Sequence, residues 1–476
     1  MARGQVLALD LGTSSVRALV FDADGKAVPD LLARRPTHLA IDDGGKAELD
    51  PEQVVGAIGE CLDELRDGGH LDPVEDVAIS SAWHSVIAAD RAGRPLTGAL
   101  TWADTRAAGL VPALRERADP DRLLAETGAL PHTTFWTAKV PWLARTVSPP
   151  PARYLGLAEY VTGRLLGDEG ASISMASGTG LLGLETMAWS PEALDLADVG
   201  PGALPEVLAP GWSGRLRPEG ARRWPALAGA TWHPVTGDGA ASNVGAGCVT
   251  PEYANVNIGT SAAIRAVHDD PGAPLHRELW RYRVDERRLV TGAAFSGGGN
   301  LWAWAKQVLR LPGDDEMEAA LASVPPGAEG VSVMPYHAGA RVPLDLLAGS
   351  GAILGLSLAT TAVEIVAATL EAVCFGLAAG LEALEAALPA PPELVASGGA
   401  VVASPWWQQT MANVFDRPVL VTDEPEASAR GAALVAVGRV TSPETKHVVE
   451  PDPKAVEAER AARSVHEDFA ARLGYA

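Results

Sequence analysis

Short apolar runs and amphipathic stretches of helical period take turns along this chain. Residues 6–11 and 16–21 are apolar, and Gly12-Thr13-Ser14-Ser15 lies between them. Runs of that length, bounded by small polar residues, predict two buried strands joined by a turn. Asp24-Gly25 predicts a further hairpin turn. Residues 51–65 carry apolar positions at the helical period, and residues 77–81 form a short buried strand. Residues 91–93 read as a turn, and the Pro-rich stretches at 149–151, 325–327 and 389–392 as loops. The most apolar helix is predicted over residues 364–388. Glu371, Glu382 and Glu385 interrupt it, which argues for a core helix and against a membrane span.

The opening pattern returns about half a chain later. Val256-Asn257-Ile258 runs into Gly259-Thr260-Ser261, as residues 7–11 run into Gly12-Thr13-Ser14. Strand–helix alternation lies on both sides of a border near residues 247–251. The pattern therefore predicts two α/β domains of similar size, over residues 1–248 and 249–442, facing each other across a central cleft. Residues 443–476 read as a charged, helix-like tail. No low-complexity tract or short repeat appears.

Composition changes this picture in three ways. The chain has 476 residues and is 47% apolar, enough for two or three cores at roughly 150 residues per domain. Its net charge of −22 argues against nucleic acid or an anionic membrane as partner, because both need clustered Lys and Arg. An anionic ligand must then be held locally, by backbone N–H groups, a few arginines or a metal ion. The three cysteines, Cys61, Cys248 and Cys374, are far apart and form no C-x-x-C pair. That usage predicts reduced thiols in the cytoplasm, and the opening MARGQVLALD is too short for a signal peptide. Thirteen Trp in a chain with few other aromatics point to cores, interfaces or rings that stack on a ligand.

The repeated turn carries the first candidate chemistry. Glycine lets a phosphate approach the backbone, and successive N–H groups with Thr and Ser hydroxyls can donate to its oxygens. Two such turns, one in each half, predict a duplicated fold that holds one polyphosphate from both sides. Asp10, two places before the first glycine, can hold a hydrated Mg²⁺ on the β and γ phosphates. Asn257 stands at the equivalent place in the second copy and lacks the charge. One metal needs one such carboxylate; the competing reading of Asp10 is a turn cap.

The ordered set "LALDLGTSSVRALVFDADG", "SAWHSVIAADRAGRPLTGALTWADTRA", "SISMASGTGLLG", "PVTGDGAASNVGAGC", "NVNIGTSAAIR", "ASGGAVVASPWWQQTMANVFDRPV" and "EASARGAALVA" resembles the FGGY carbohydrate kinase family over residues 5–440. The resemblance implies two ribonuclease-H-like domains of the actin-like and sugar-kinase superfamily, with ATP and Mg²⁺ as cofactors. It allows a homodimer. It makes Asp238 the catalytic base, with Gly239 beside it, although alone that aspartate also reads as a helix N-cap. A base is what the chemistry requires, since a sugar hydroxyl must lose its proton as it attacks the γ phosphate. Gly12, Thr13, Ser14, Arg17, Gly259, Thr260, Ser261 and Gly298 become phosphate-side residues. Gly398, Gly399, Ser404 and Gln408 fall where the family holds the nucleoside. Trp83, His84, Trp102 and Arg106 fall where it contacts the sugar, and Trp136 is a further candidate for that pocket. Taken without the family, His84 also reads as a core histidine, Trp102 as packing and Asp104–Arg106 as a surface pair.

Two departures stand out. Gly339-Ala340-Arg341-Val342-Pro343 lacks the Glu that many relatives carry before that arginine, and Arg17 stands where many have Lys. Within the family the chain looks most like the gluconokinase-like branch, which implies phosphorylation of gluconate to 6-phosphogluconate. His84 and Arg106 are the candidate readers of the gluconate carboxylate. Kinases of xylulose, ribulose or another polyol stay open, as does a non-catalytic sugar or nucleotide sensor. The presence of both Asp10 and Asp238 counts against the sensor. A chaperone or filament protein of the superfamily would carry an added assembly segment.

Overall fold

In the first sheet, strands Gln5–Leu11 and Ser15–Phe21 pair antiparallel and set Asp10 opposite Arg17. Strand Ala27–Pro36 extends this hairpin on one side, after the predicted Asp24-Gly25 turn. Strand Val74–Ser81 runs parallel to Gln5–Leu11 on the other side, followed by Thr231–Trp232 and Thr236–Gly237. The structure, a computed structural model, describes residues 4–337 and 351–475. Apart from Asp10 and Arg17 near the turn, the interiors of the two central strands are apolar because both faces of the sheet are covered. Helix Pro51–Asp67 covers one face through Val54, Ile58, Cys61, Leu62 and Leu65, and Asp50 caps its first turn.

The second sheet repeats this plan. Tyr253–Ile258 and Ala262–His268 form the hairpin, Leu289–Phe295 extends it, and Glu393–Ser397 runs parallel to its first strand. Val419–Thr422 then takes the place that Thr231–Trp232 has in the first sheet. The long helix Ala362–Ala387 packs on this sheet behind a Thr361–Glu364 capping box. It is long and apolar enough to cross a membrane, yet most of its apolar window is buried in protein. The glutamates inside the sequence of this helix already predicted a core element.

Among the contacts that join the halves, three lie near the turns and the first-half loops. Helix Asp238–Gly245 crosses helix Ala427–Ala436 so closely that a Cβ on Gly245 would lie 1.8 Å from the Ala427 carbonyl oxygen, and one on Gly431 1.7 Å from that of Ala241. A side chain at either place would force the helices apart. Arg17 links Asp10 of the first sheet to Glu426 at the head of the second of these helices. Strand Trp280–Arg283, at the edge of the second sheet, reaches into the first half. There the Arg281 N–H donates to the Gly128 carbonyl at 2.9 Å, and the Arg283 N–H donates to the Ser177 hydroxyl at 2.9 Å.

The expectation of a separate charged tail is corrected here. Strand Thr445–Val449 pairs with Val419–Thr422 and completes the second sheet. Helix Pro453–Arg472 packs on strand Ser332–Met334 and on helix Pro405–Phe415. Its buried face consists of Ala455, Val456, Glu459, His466, Phe469 and Ala470, a stripe too thin to outweigh the charges around it in sequence.

Glu459 of that helix and Glu371 of Ala362–Ala387 are both buried, close enough that the charge of Glu371 acts on Glu459. Burial raises both carboxyls above their ordinary range, so the pair keeps a proton at neutral pH. The folded state therefore binds more protons than the unfolded state. The pair's contribution to stability is greatest below the ordinary carboxylate range and is lost as pH rises through the raised range. Glu459→Gln removes one of the two charges. Thermal unfolding is expected to show the variant a few degrees more stable than the parent near pH 9, with the gap closing near pH 5. Parallel curves for the two proteins would mean that the pair does not titrate in the fold.

Candidate active site

Both Gly-Thr-Ser turns close on themselves: the Gly12 N–H donates to the Ser15 carbonyl at 3.1 Å, and the Gly259 N–H to that of Ser261 at 3.0 Å. The second turn is one residue shorter between its paired strands. Asp10 faces Arg17 across the first hairpin, whereas Asn257 faces Ala263 across the second. The two copies thus differ as a charged pair and a neutral one. The Asn257 side chain serves instead as a tie. Its Nδ2 donates to Ser397 Oγ at 3.0 Å and so links the second turn to the Gly398-Gly399 turn. Gly398 has φ +94°, with space for no Cβ because Ile258 O would lie 2.5 Å from it. Gly298 packs on Ser261 at similarly close range, and the Gly299 N–H donates to the Gly259 carbonyl at 2.8 Å. Gly259, Thr260, Ser261, Gly298, Gly398 and Gly399 are thus gathered at one end of the second sheet.

Beside this cluster lies a recess whose walls include Trp302, Glu318, Ala400, Ala403 and Ser404. Ser404 also caps helix Pro405–Phe415 through a bond from the Trp407 N–H. Gln408 does not reach the recess. Its amide donates to the Val401 and Val402 carbonyls, and its oxygen pairs with His447 Nε2 at 2.9 Å. It braces the turn from behind, with a partner from the segment expected to be a tail.

Asp10 is buried, and burial raises its carboxyl to about 6 against the opposing pull of Arg17. The charges of Asp238 and Glu426 act on it in the same direction as burial. Arg17 Nη2 lies 3.1 Å from Asp10 Oδ2, and its Nη1 2.5 Å from Glu426 Oε2. Asp238 opens helix Asp238–Gly245 directly after strand Thr236–Gly237, which pairs with the end of Val74–Ser81. Its Oδ1 accepts from the Gly239 N–H at 2.8 Å and from the Trp83 N–H at 3.4 Å. These two donors set the orientation of the carboxylate.

Asp238 is on the wall of a cavity whose other residues come from both halves. Trp83, His84, Trp102, His132 and Phe135 come from the first half; Ser261, Arg265, Trp280 and Tyr282 come from the second. Gly239 packs against Trp83 and Arg265 behind the wall. Trp280 stacks on Tyr282 at 4.3 Å between centroids, and Tyr282 meets Trp83 edge-on at 5.0 Å. His84 adopts φ +70°, rare for a residue with a Cβ, so the surrounding contacts impose this geometry.

The two histidines present opposite chemistry. His84 Nδ1 lies 2.5 Å from the Gly178 carbonyl, so Nδ1 carries the proton and Nε2 accepts in the neutral ring. His132 Nδ1 accepts the Thr134 N–H at 3.1 Å, which leaves Nε2 as the protonated nitrogen. An acceptor and a donor suit the hydroxyls of a sugar. With Nδ1 bound to the Gly178 carbonyl, His84 turns an acceptor to the cavity as a neutral ring and a donor only as an imidazolium.

Two further expectations are corrected. Arg106 is not on the cavity. Its Nη2 binds Asp104 Oδ2 at 2.6 Å and Glu48 Oε1 at 2.5 Å, and the guanidinium lies over Trp142. Two carboxylates already occupy its donors. Trp136 is buried away from the cavity, and its Nε1 donates to the Ser85 carbonyl at 3.0 Å. The segment Gly339 to Pro343, with its missing Glu, lies outside the described residues.

Sequence reasoning missed Arg265, His132, Phe135, Trp280 and Tyr282. Arg265 had a signal: it is a lone charge in the otherwise apolar strand Ala262–His268. Its Nε is buried with no protein partner, its Nη1 is 3.4 Å from Ser242 Oγ, and the charge of Asp238 acts on it. Burial pulls its pKa down, yet a guanidinium stays charged at neutral pH. Trp280 and Tyr282 alternate along one strand, so they share a face.

Comparison with known proteins agrees with this construction. Residues 5–245 match the N-terminal domain, and residues 254–438 the C-terminal domain, of the FGGY family of carbohydrate kinases. The chain is 28% identical to a gluconokinase of Bacillus licheniformis over 463 residues, covering 92% of this chain and 88% of that one. It is 31% identical to a xylulose kinase of Streptomyces rubiginosus over 450 residues, with the same coverage. Its fold superimposes on a gluconate kinase from Lactobacillus acidophilus with a TM-score of 0.86, at 24% identity and 98% coverage of both chains. The chain therefore belongs to the FGGY family of carbohydrate kinases, and it is a two-domain α/β phosphotransferase of the actin-like and sugar-kinase type.

Proposed function

We propose that this kinase transfers the γ-phosphoryl group of ATP to a hydroxyl of a sugar acid, gluconate to 6-phosphogluconate being the first candidate. The observation that carries the reading is Arg265, a cation on the cavity wall whose buried Nε lacks a protein partner. A neutral polyol offers such a donor only a hydroxyl oxygen, whereas a carboxylate gives it a stronger, charge-assisted hydrogen bond. His84 and His132 read hydroxyls, and the Trp83, Trp102 and Trp280 rings cover the carbon chain. Asp238, held by two backbone N–H groups, takes the proton of the attacking hydroxyl.

The nucleoside is assigned to the recess beside Gly398-Gly399 and Ser404, and the phosphates to the two Gly-Thr-Ser turns. Asp10 fits Mg²⁺: it is a hard oxygen donor in a buried place where its own charge is costly, as its raised pKa records. Among the described residues no group of three His, Cys, Asp or Glu could hold a metal alone, so phosphate and water oxygens would complete the shell. The ion would neutralise charge on the β and γ phosphates. Arg17 and Glu426 share this corner, so a cation held there would compete with Arg17 for the Asp10 carboxylate. The cytoplasm is the proposed compartment, in keeping with three buried free thiols.

The test is ATP consumption by the purified enzyme across gluconate, other sugar acids, xylulose, ribulose and neutral polyols. Gluconate is expected to give the highest kcat/KM, with neutral sugars lower by about tenfold or more, the scale of one charge-assisted contact. If xylulose or ribulose surpasses every acid, the sugar-acid reading fails and the enzyme is a ketopentose kinase.

A further inference from the structure

The geometry points to Lys139 as the positioning residue that assembles the first-domain wall of the sugar cavity. Lys139 belongs to helix Trp136–Thr146 and is completely buried. Its Nζ donates to three main-chain carbonyls: His84 at 3.1 Å, Thr101 at 2.6 Å and Thr134 at 3.0 Å. An ammonium has three N–H donors, and each is used on a different segment. The three segments are those that carry the wall. His84 is on the cavity itself, Thr101 directly precedes Trp102, and Thr134 lies between His132 and Phe135.

The helix grips the His84 turn with two side chains spaced three apart, which therefore share a face. Lys139 holds the His84 carbonyl and Trp136 holds that of Ser85. This explains how the left-handed backbone of His84 is maintained. The charge of Lys139 never meets the ligand; it is spent on carbonyl dipoles that would otherwise be buried and unpaired. A methionine of similar length would fill the space and leave three carbonyls without a donor. Each loop would then relax by its own route, and the histidine, indole and phenyl groups would lose their common geometry. A displacement of about 1 Å in such groups is enough to cost ~10²-fold in rate.

The inference rests on the reading of this cavity as the sugar site, and a double-mutant cycle separates the two. KM and kcat are measured for the best carbohydrate substrate in the parent, Lys139→Met, His84→Ala and the double variant. Lys139→Met is expected to raise the sugar KM at least about tenfold and to leave the ATP KM within about twofold. Adding His84→Ala to Lys139→Met should cost little more, because the lysine acts through that residue. Additive effects, or an equal rise in the ATP KM, would show a general packing role and overturn the inference. If His84→Ala alone leaves the sugar KM unchanged, the reading of the cavity fails and the inference falls with it. If Lys139→Met is not folded by circular dichroism, Lys139→Gln, which keeps two N–H donors, takes its place under the same criteria. Failure of both to fold would make Lys139 a folding residue and end the proposal.

Discussion

Replacing Asp238 by Asn is expected to lower kcat by about 10²- to 10⁴-fold, the range for loss of a general base. Asparagine keeps an oxygen where Oδ1 accepts from the Gly239 and Trp83 N–H groups, so the head of helix Asp238–Gly245 and the indole beside it should hold their places. What disappears is the ability to take a proton. Nucleotide affinity, followed by calorimetry with ADP, should change little, because the phosphate turns lie on other strands. Steady-state kinetics with the best sugar then isolates the chemical step. A variant with near-normal turnover would remove Asp238 from the role of base.

The second large effect is expected at Arg265. Arg265→Met should lower kcat/KM for gluconate by about 10²-fold, the worth of a charge-assisted contact in a shielded site. A neutral polyol should lose about tenfold or less, since it offers no anion to the guanidinium. The comparison between substrates matters more than either loss. Arg265 also lies within the electrostatic reach of Asp238, so part of the effect will be common to all substrates. Equal losses for acid and polyol would mean that the arginine serves the base or the moving phosphoryl group, and the carboxylate reader would have to be sought elsewhere.

Part of the candidate site was legible because two of its carboxylates sit beside turns. Asp10 is the lone charge of strand Gln5–Leu11, two places before Gly12, and Asp238 follows Gly237 at the head of a helix, so both stand out in the local sequence. The duplicated hairpin was legible for the same reason, and both sheets grow from it. Arg265, the proposed carboxylate reader, showed in the sequence only as the lone charge of its strand. Arg106 and Arg265 are both arginines within family-like motifs, and nothing local says which one finds a carboxylate partner inside the protein. Glu48 lies far from Arg106 in sequence, and only the sheet Leu39–Ile41, Ala47–Leu49 and Ala99–Leu100 brings them together.

Periodicity and turn chemistry alone determined that this chain has two similar α/β halves, a repeated phosphate-type turn and one carboxylate where its copy has an amide. Those features depend on neighbours within a few residues, and backbone geometry decides them. The tertiary structure alone decided which polar side chains face the cavity and which are consumed by the protein. Arg106 and Gln408 are spent on distant partners, Trp136 and Lys139 hold the wall from behind, and Arg265 is left with an open donor. It also decided that residues 445–449 complete a sheet, because an edge strand is defined by the neighbour it meets. A hydrogen bond or ion pair is a property of two groups brought together by the fold, and no one-dimensional pattern fixes who the second will be.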